Sequence, residues 1–182
     1  MTVPAVNDKT TVIGSAEIER IIARLAHQIV EPQDAQPGLF LMGVRRGGEA
    51  LAMRLADKIK AMSGAQPPLG FLNINLYRDD DVSHEMPDSL IPSDVNGKTV
   101  VLIDDVLYTG RTVRSALDAV TDLGRPEAIR LCVLIDRGLR ELPVQADYAG
   151  RTIATTPDQR VVVTLSRTPS ETDEVRVLAS AP

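Results

Sequence analysis

An α/β domain with a largely parallel central sheet is the fold class this sequence predicts, and three observations predict it. Short apolar runs without alternation recur at Leu39–Val44, Lys98–Asp104 and Ala128–Asp136, the pattern of strands buried on both faces. Between them lie stretches whose apolar residues repeat at helical spacing. Glycines and prolines mark the joins. Strands that alternate with helices in this way pair in parallel, and such sheets bind ligands at the carboxyl ends of their strands.

Each element follows in turn. From Ser15 to Glu31, Ile18, Ile21, Ile22, Leu25, Ile29 and Val30 make one helical stripe, with Ser15 as the expected N-cap and Pro32 as the stop. The opposite face carries Arg20, Arg24 and His27, which on residue chemistry alone read as a solvated surface. Gly47-Gly48 opens a second helix, with Leu51, Leu55, Ile59 and Met62 on its stripe. Leu69–Tyr77 alternates in part and reads as a strand. Residues 79–97 are polar and broken by Pro87 and Pro92; a stretch that long is a lid, a binding loop or disorder. Val113, Ala116, Leu117 and Val120 mark a third helix, closed by Gly124 with Pro126 beyond. Val161–Leu165 and Glu174–Leu178 are two further short strand candidates.

Composition bounds the function. The 182 residues suit a single domain, 1–182, and 43% hydrophobic with 25% charged residues is ordinary for a globular chain. A net charge of −5 argues against a general nucleic-acid binder but leaves room for a local basic face. The single Cys132 has no partner for an internal disulfide and reads as a core strand residue. No apolar run approaches the roughly 20 residues of a membrane span, and no signal-peptide core is present, so a cytoplasmic protein is expected.

Three strand ends carry chemistry: "GVRRGG", "DDVLYTGRT" and "DRGLREL". In the second, Asp104-Asp105 is followed by Thr109-Gly110-Arg111-Thr112 at the start of a helix. A helix N-terminus offers free N–H groups and partial positive charge, so this turn suits a phosphate monoester. The carboxylates suit neutral hydroxyls, as on a ribose, or a hydrated Mg²⁺ ion. A sugar phosphate satisfies both halves. Adjacent strand residues point to opposite faces, so both aspartates serve one ligand only if the chain leaves strand geometry there. A bare strand-turn-helix junction, capped by Thr109 with its aspartates in solvent, fits the residues as well. Arg45 and Arg46, between glycines, could hold a second anionic group such as a pyrophosphate. A Walker A loop is excluded because Glu49-Ala50 stands where Lys and Ser/Thr are needed.

The stretch "VVLIDDVLYTGRT" (Val100–Thr112) resembles the phosphoribosyl-pyrophosphate (PRPP) motif of type I phosphoribosyltransferases. With "NINLYRDD" (Asn73–Asp80), "DLGRPEAIRL" (Asp122–Leu131) and "DRGLRELPVQADYAG" (Asp136–Gly150), it is similar to the branch of pyrimidine operon attenuation regulators that are also uracil phosphoribosyltransferases, the PyrR family. The resemblance implies the type I fold with a small C-terminal hood. Asp104 and Asp105 would be the catalytic carboxylates on the ribose. Tyr108, Thr109, Gly110, Arg111 and Thr112 would hold the 5′-phosphate side. Gly43–Gly47, with Arg45 and Arg46, would form a pyrophosphate loop containing an unusual peptide bond, and Arg78 would lead a lid over residues 79–97. Asp136, Arg137 and Gly138 would meet the base, largely through backbone groups. Mg²⁺ would come mainly with PRPP rather than on a protein cage. The implied partners are PRPP, uracil, UMP or UTP, and pyr operon mRNA, the last meeting Arg20, Arg24, His27, Arg140 and Arg151. A homodimer or larger homo-oligomer is implied as well.

The sequence departs from the branch at Leu139, where relatives carry His, at Ala23, often Thr, and in "GRTIATT" (Gly150–Thr156). Between Arg78 and Lys98 there is no Lys or Arg. Three readings therefore stand: a bifunctional regulator and enzyme, a uracil salvage enzyme alone, and a nucleotide-sensing RNA-binding regulator with weak or no catalysis.

Overall fold

The computed structural model describes residues 9–31, 38–77 and 88–179. The chain runs through β1 (Lys9–Gly14), α1 (Ser15–Val30), β2 (Leu39–Val44), α2 (Gly48–Ser63), β3 (Leu69–Leu72), a 3₁₀ turn (Asn75–Tyr77), β4 (Thr99–Leu107), α3 (Arg111–Leu123), β5 (Ala128–Asp136), β6 (Tyr148–Thr152), β7 (Gln159–Thr164) and β8 (Glu174–Ala179). Strands β3-β2-β4-β5-β6 form a five-stranded sheet in that order, and its pairs are all parallel. β1, β8 and β7 form a second, three-stranded antiparallel sheet, the hood.

The unalternating runs have a simple cause. Phe40, Met42, Val100, Leu102 and Val133 face α3, whereas Leu41, Val101, Ile103, Cys132 and Leu134 face α1 and α2. Both faces are dry, so neither parity of residue is polar. α1 contributes Ile18, Ile22, Leu25 and Ile29, all 0% exposed. Truncating any of these to Ala removes contacts worth about 2–5 kcal/mol, a large share of a domain's net stability. Ile13, Val161 and Val175 of the hood reach the same core, which fixes the hood to the main sheet. Cys132 is fully buried and its thiol is pushed up to about 12 by burial, in keeping with a packing role.

Several local expectations need correction. The N-cap of α1 is Gly14 in extended conformation, and Ser15 is the first helical residue. Met62 is 40% exposed because α2 ends one residue later, beyond the sheet it packs on. The strand expected over Leu69–Tyr77 stops at Leu72, and Asn75–Tyr77 turns instead, with Asn73 Oδ1 accepting from the Asn75 N–H. The hood is not only C-terminal, because β1 supplies one of its strands.

The expected lid over 79–97 is also narrower. Leu90 exchanges both backbone hydrogen bonds with Phe71, each at 2.8 Å, and Val95 is buried, so 88–97 belongs to the sheet edge. Arg78 and residues 79–87 lie outside the described residues.

Candidate active site

The strand order reverses at β2, whose neighbours are β3 on one side and β4 on the other. That switch opens a crevice between the carboxyl ends of β2 and β4. A cleft of about 410 Å³ lies there, lined by Val44, Arg45, Arg46, Gly47, Ile74, Asp104, Asp105, Val106, Thr112 and Arg160. A second hollow of about 290 Å³ covers the turn from Val106 to Val113. The two share Val106 and Thr112, so they adjoin.

Both aspartates enter the cleft, although β4 keeps its parallel register with β5 through Leu107. The expectation that the chain must leave strand geometry is overturned. The side chains bend back over the backbone: Asp104 Oδ1 accepts from the Asp105 N–H at 3.0 Å, and Asp105 Oδ1 from the Val106 N–H at 2.7 Å. The two tips meet at Gly47. A Cβ there would fall 2.7 Å from Asp104 Oδ1 and closer still to Asp105 Oδ1, so only glycine leaves the carboxylates room. Burial pushes the Asp105 carboxyl above its ordinary value, and the Val106 N–H offsets that only in part.

The phosphate-type turn is built as its residues suggest. Gly110 caps α3 at φ 94°, a left-handed conformation open to glycine, and no side chain occupies the cap. Thr109 leaves the helix N-terminus open, with only a 3.4 Å contact from the Arg111 N–H to its hydroxyl. The segment after β5 braces this turn, since Glu141 and Leu142 N–H groups both donate to Thr109 O at 3.0 Å. Glu141 also holds Arg111 through its Nε and Nη2, each at 2.7 Å.

The remaining candidates divide between the cleft and the scaffold. Arg45 is committed to Glu49 at 2.6 Å and to Asp88 O at 2.6 and 3.0 Å, which ties Asp88 to the loop after β2. Arg46 is exposed at φ 75°, unusual for a side-chain-bearing residue. No cis peptide occurs among the described residues, so the unusual feature of this loop is that backbone angle. Asp136 accepts from the Gly138 N–H at 2.9 Å and from Arg140 at 2.6 Å. Arg137 is 5% exposed, donates to Thr155 Oγ1 and Thr156 O, and lies 4.0 Å from the Tyr108 ring centroid. The side chains of Asp136 and Arg137 are thus occupied, leaving backbone groups to face a ligand.

The surface arginines also differ from one another. Arg140 donates to Tyr108 O, Gly138 O, Val144 O and Asp136, so it staples two strand ends together rather than facing outward. Arg24 reaches Gly150 O, and Arg151 pairs with Glu17, while Arg20 and His27 stand exposed on α1. Sequence reasoning missed Arg160, which arrives from β7; "QRVVVT" carries no local sign of a site.

The cleft fits Mg²⁺ in one way. Among the described residues no cluster of His, Cys, Asp or Glu large enough to cage a metal exists, and the carboxylates at its floor number two. Such a pair suits an ion that brings most of its ligands from a phosphate substrate. No helix among the described residues is long and apolar enough to cross a membrane.

A parallel sheet, an acidic pair at its switch point and an open helix N-terminus beside it define the phosphoribosyltransferase class. The family model described as a phosphoribosyl transferase domain matches residues 13–167, which include the whole cleft. The chain is 46% identical over 178 residues to the bifunctional protein PyrR of Pelotomaculum thermopropionicum, covering 96% of this chain and 98% of that protein. To the bifunctional protein PyrR of Deinococcus radiodurans it is 46% identical over 172 residues, covering 92% of each. The hypoxanthine phosphoribosyltransferase of Trypanosoma cruzi superposes with a TM-score of 0.72 at 19% identity, over 94% of this chain and 97% of that one, a likeness of fold alone. The chain belongs to the phosphoribosyltransferase family and, within it, to the bifunctional PyrR proteins.

Proposed function

We propose that this chain transfers the phosphoribosyl group of PRPP to uracil, giving UMP and pyrophosphate, and binds pyr operon mRNA in a uridine-nucleotide-dependent way that causes transcription attenuation. The observation that carries the enzymatic half is the convergence of Asp104 and Asp105 beside the open N-terminus of α3, in adjoining hollows that share Val106 and Thr112.

In this reading the N–H groups and hydroxyls of Thr109–Thr112 take the 5′-phosphate, and the aspartates take the ribose hydroxyls. Positive charge develops on the ribose ring as pyrophosphate leaves, and the buried carboxylates stabilise it. Asp105, already reluctant to ionise, is the better placed for any proton exchange. Gly43–Gly47 with Arg46 receives the departing pyrophosphate. Mg²⁺ carried by PRPP would neutralise the leaving group, with Asp104 and Asp105 as the carboxylates that reach it. The Asp136–Gly138 backbone faces the base. A lid led by Arg78 and narrowed to residues 79–87 would exclude water, so that the sugar goes to uracil rather than to hydrolysis.

The RNA half rests on PyrR membership and on the exposed Arg20 and His27, with Arg24 and Arg151 beside them. A local patch suffices, because RNA hairpins are read by shape, phosphate and splayed bases. The internal commitment of Arg140 favours the enzyme-only alternative more than the sequence does. Homodimers or larger homo-oligomers belong to the same proposal.

One pair of assays tests both halves. Purified protein is supplied with PRPP and uracil, and then titrated against a labelled leader-RNA hairpin with and without UMP at fixed salt. UMP formation together with UMP-strengthened RNA binding is expected. RNA binding without UMP formation would leave a regulator only, and UMP formation without RNA binding a salvage enzyme only.

A further inference from the structure

One wall of the cleft has no part in the mechanism above. Its other linings come from the main sheet and the segments joining its strands, whereas Arg160 comes from the hood. Its neighbour Val161 is 8% exposed and plugs the main core, so strand alternation turns Arg160 the other way. The Arg160 side chain is exposed and makes no hydrogen bond or ion pair with any described residue. Arg45, by contrast, is already spent on Glu49 and Asp88. The start of β7 also lies at the proposed base end of the site. Gln159 N–H donates to Thr156 O at 3.0 Å, and Arg137 donates to the same carbonyl at 3.1 Å.

Transfer to uracil sets a chemical problem at that end. N1 of uracil carries a proton and attacks carbon poorly until the proton is lost. Asp105 can exchange a proton on the ribose side in the proposed reading, but no described side chain of the base-facing turn is free to take the one on N1. A cation beside the base lowers the cost of the anion instead.

Resting on that reading, we propose that Arg160 binds the acceptor uracil and stabilises it as its N1 anion. The planar guanidinium lies against the pyrimidine, as arginine does on flat π-systems. The N1 proton passes to solvent first. The N1–C1′ bond then forms as the C1′–O bond to pyrophosphate breaks, and pyrophosphate departs with the electron pair. The same cation selects bases with an acidic ring N–H and disfavours cytosine.

The test compares the parent with Arg160→Gln and Arg160→Lys, using uracil and the more acidic 5-fluorouracil as acceptors across pH. Arg160→Gln is expected to lower kcat/KM for uracil at neutral pH by about tenfold or more, the effect of one unit of lost acidity. Its pH profile should rise later, the loss should shrink with 5-fluorouracil, and Arg160→Lys should recover part of it. An equal loss with both acceptors, or no loss, overturns the role of Arg160 while leaving the transferase reading intact. A parent that makes no UMP overturns both. Arg160→Lys keeps the charge on the same exposed strand position, so a general folding defect would strike both variants alike.

Discussion

Asp105 is a residue whose position costs stability, and that cost can be measured. A carboxyl raised by burial keeps its proton in the folded chain over a pH range where the unfolded chain has lost it. Stability therefore falls as pH climbs above about 4 towards the raised value, and stays lower beyond it. Asp105→Asn escapes this penalty. Thermal unfolding should find it more stable than the parent at pH 7, with the advantage gone below about pH 4. Asp104→Asn with Asp105→Asn should leave the fold intact and weaken PRPP binding by about 100-fold or more, because two charged hydrogen-bonding groups are lost. A double variant that makes UMP at the parental rate would remove the aspartates from the proposed site. This acid pair and the Thr-Gly turn were legible in sequence because their chemistry is contiguous. Arg160 was not, because what makes it interesting is the cleft it overhangs, more than a strand away in sequence.

Among the elements, the hood depends on a buried ion pair. Arg54 of α2, 3% exposed, donates to Asp173 at 2.5 Å and also pairs with Glu19 of α1. Burial works to raise the Asp173 carboxyl, but N–H donors from Ser166 and Ser170 and the Arg54 guanidinium outweigh it and hold it below its usual range. Such a group contributes stability above its unfolded pKa and loses it as pH falls through the folded one. Asp173→Ala should cost about 1–3 kcal/mol in denaturant unfolding at pH 7, because Arg54 keeps Glu19 but loses its buried partner, and the Ser166 and Ser170 N–H groups lose their acceptor. The deficit should narrow on acidification below about pH 4. No sequence pattern announces this pair, since Arg54 sits on an ordinary helix and Asp173 in a polar loop. β1 escaped for a related reason. "KTTVIG" is half polar, and what makes it a strand is its register with β8, from Lys9–Leu178 to Gly14–Glu174. The buried strands of the main sheet needed no such partner to be seen.

For the whole molecule, a net charge of −5 sets the terms of any RNA contact. Affinity resting on a few arginines should fall steeply with salt. Arg20→Gln should weaken hairpin binding across sequences and flatten the log–log salt slope by about one, with UMP formation unchanged. An unaltered slope would move the RNA surface elsewhere. The overall architecture was readable because alternation of strand and helix fixes it locally, whereas the closure of the molecule depends on pairing between β1 and β8. That pairing also governs the order in which the protein comes into being. β1 precedes the five parallel strands in the chain and β8 follows them all, so the hood cannot close until β8 has been made, while the five parallel strands can already assemble. The acidic pair and the phosphate turn would thus be in place before Arg160 swings over them, and a nascent chain would hold an open cleft until β8 has emerged.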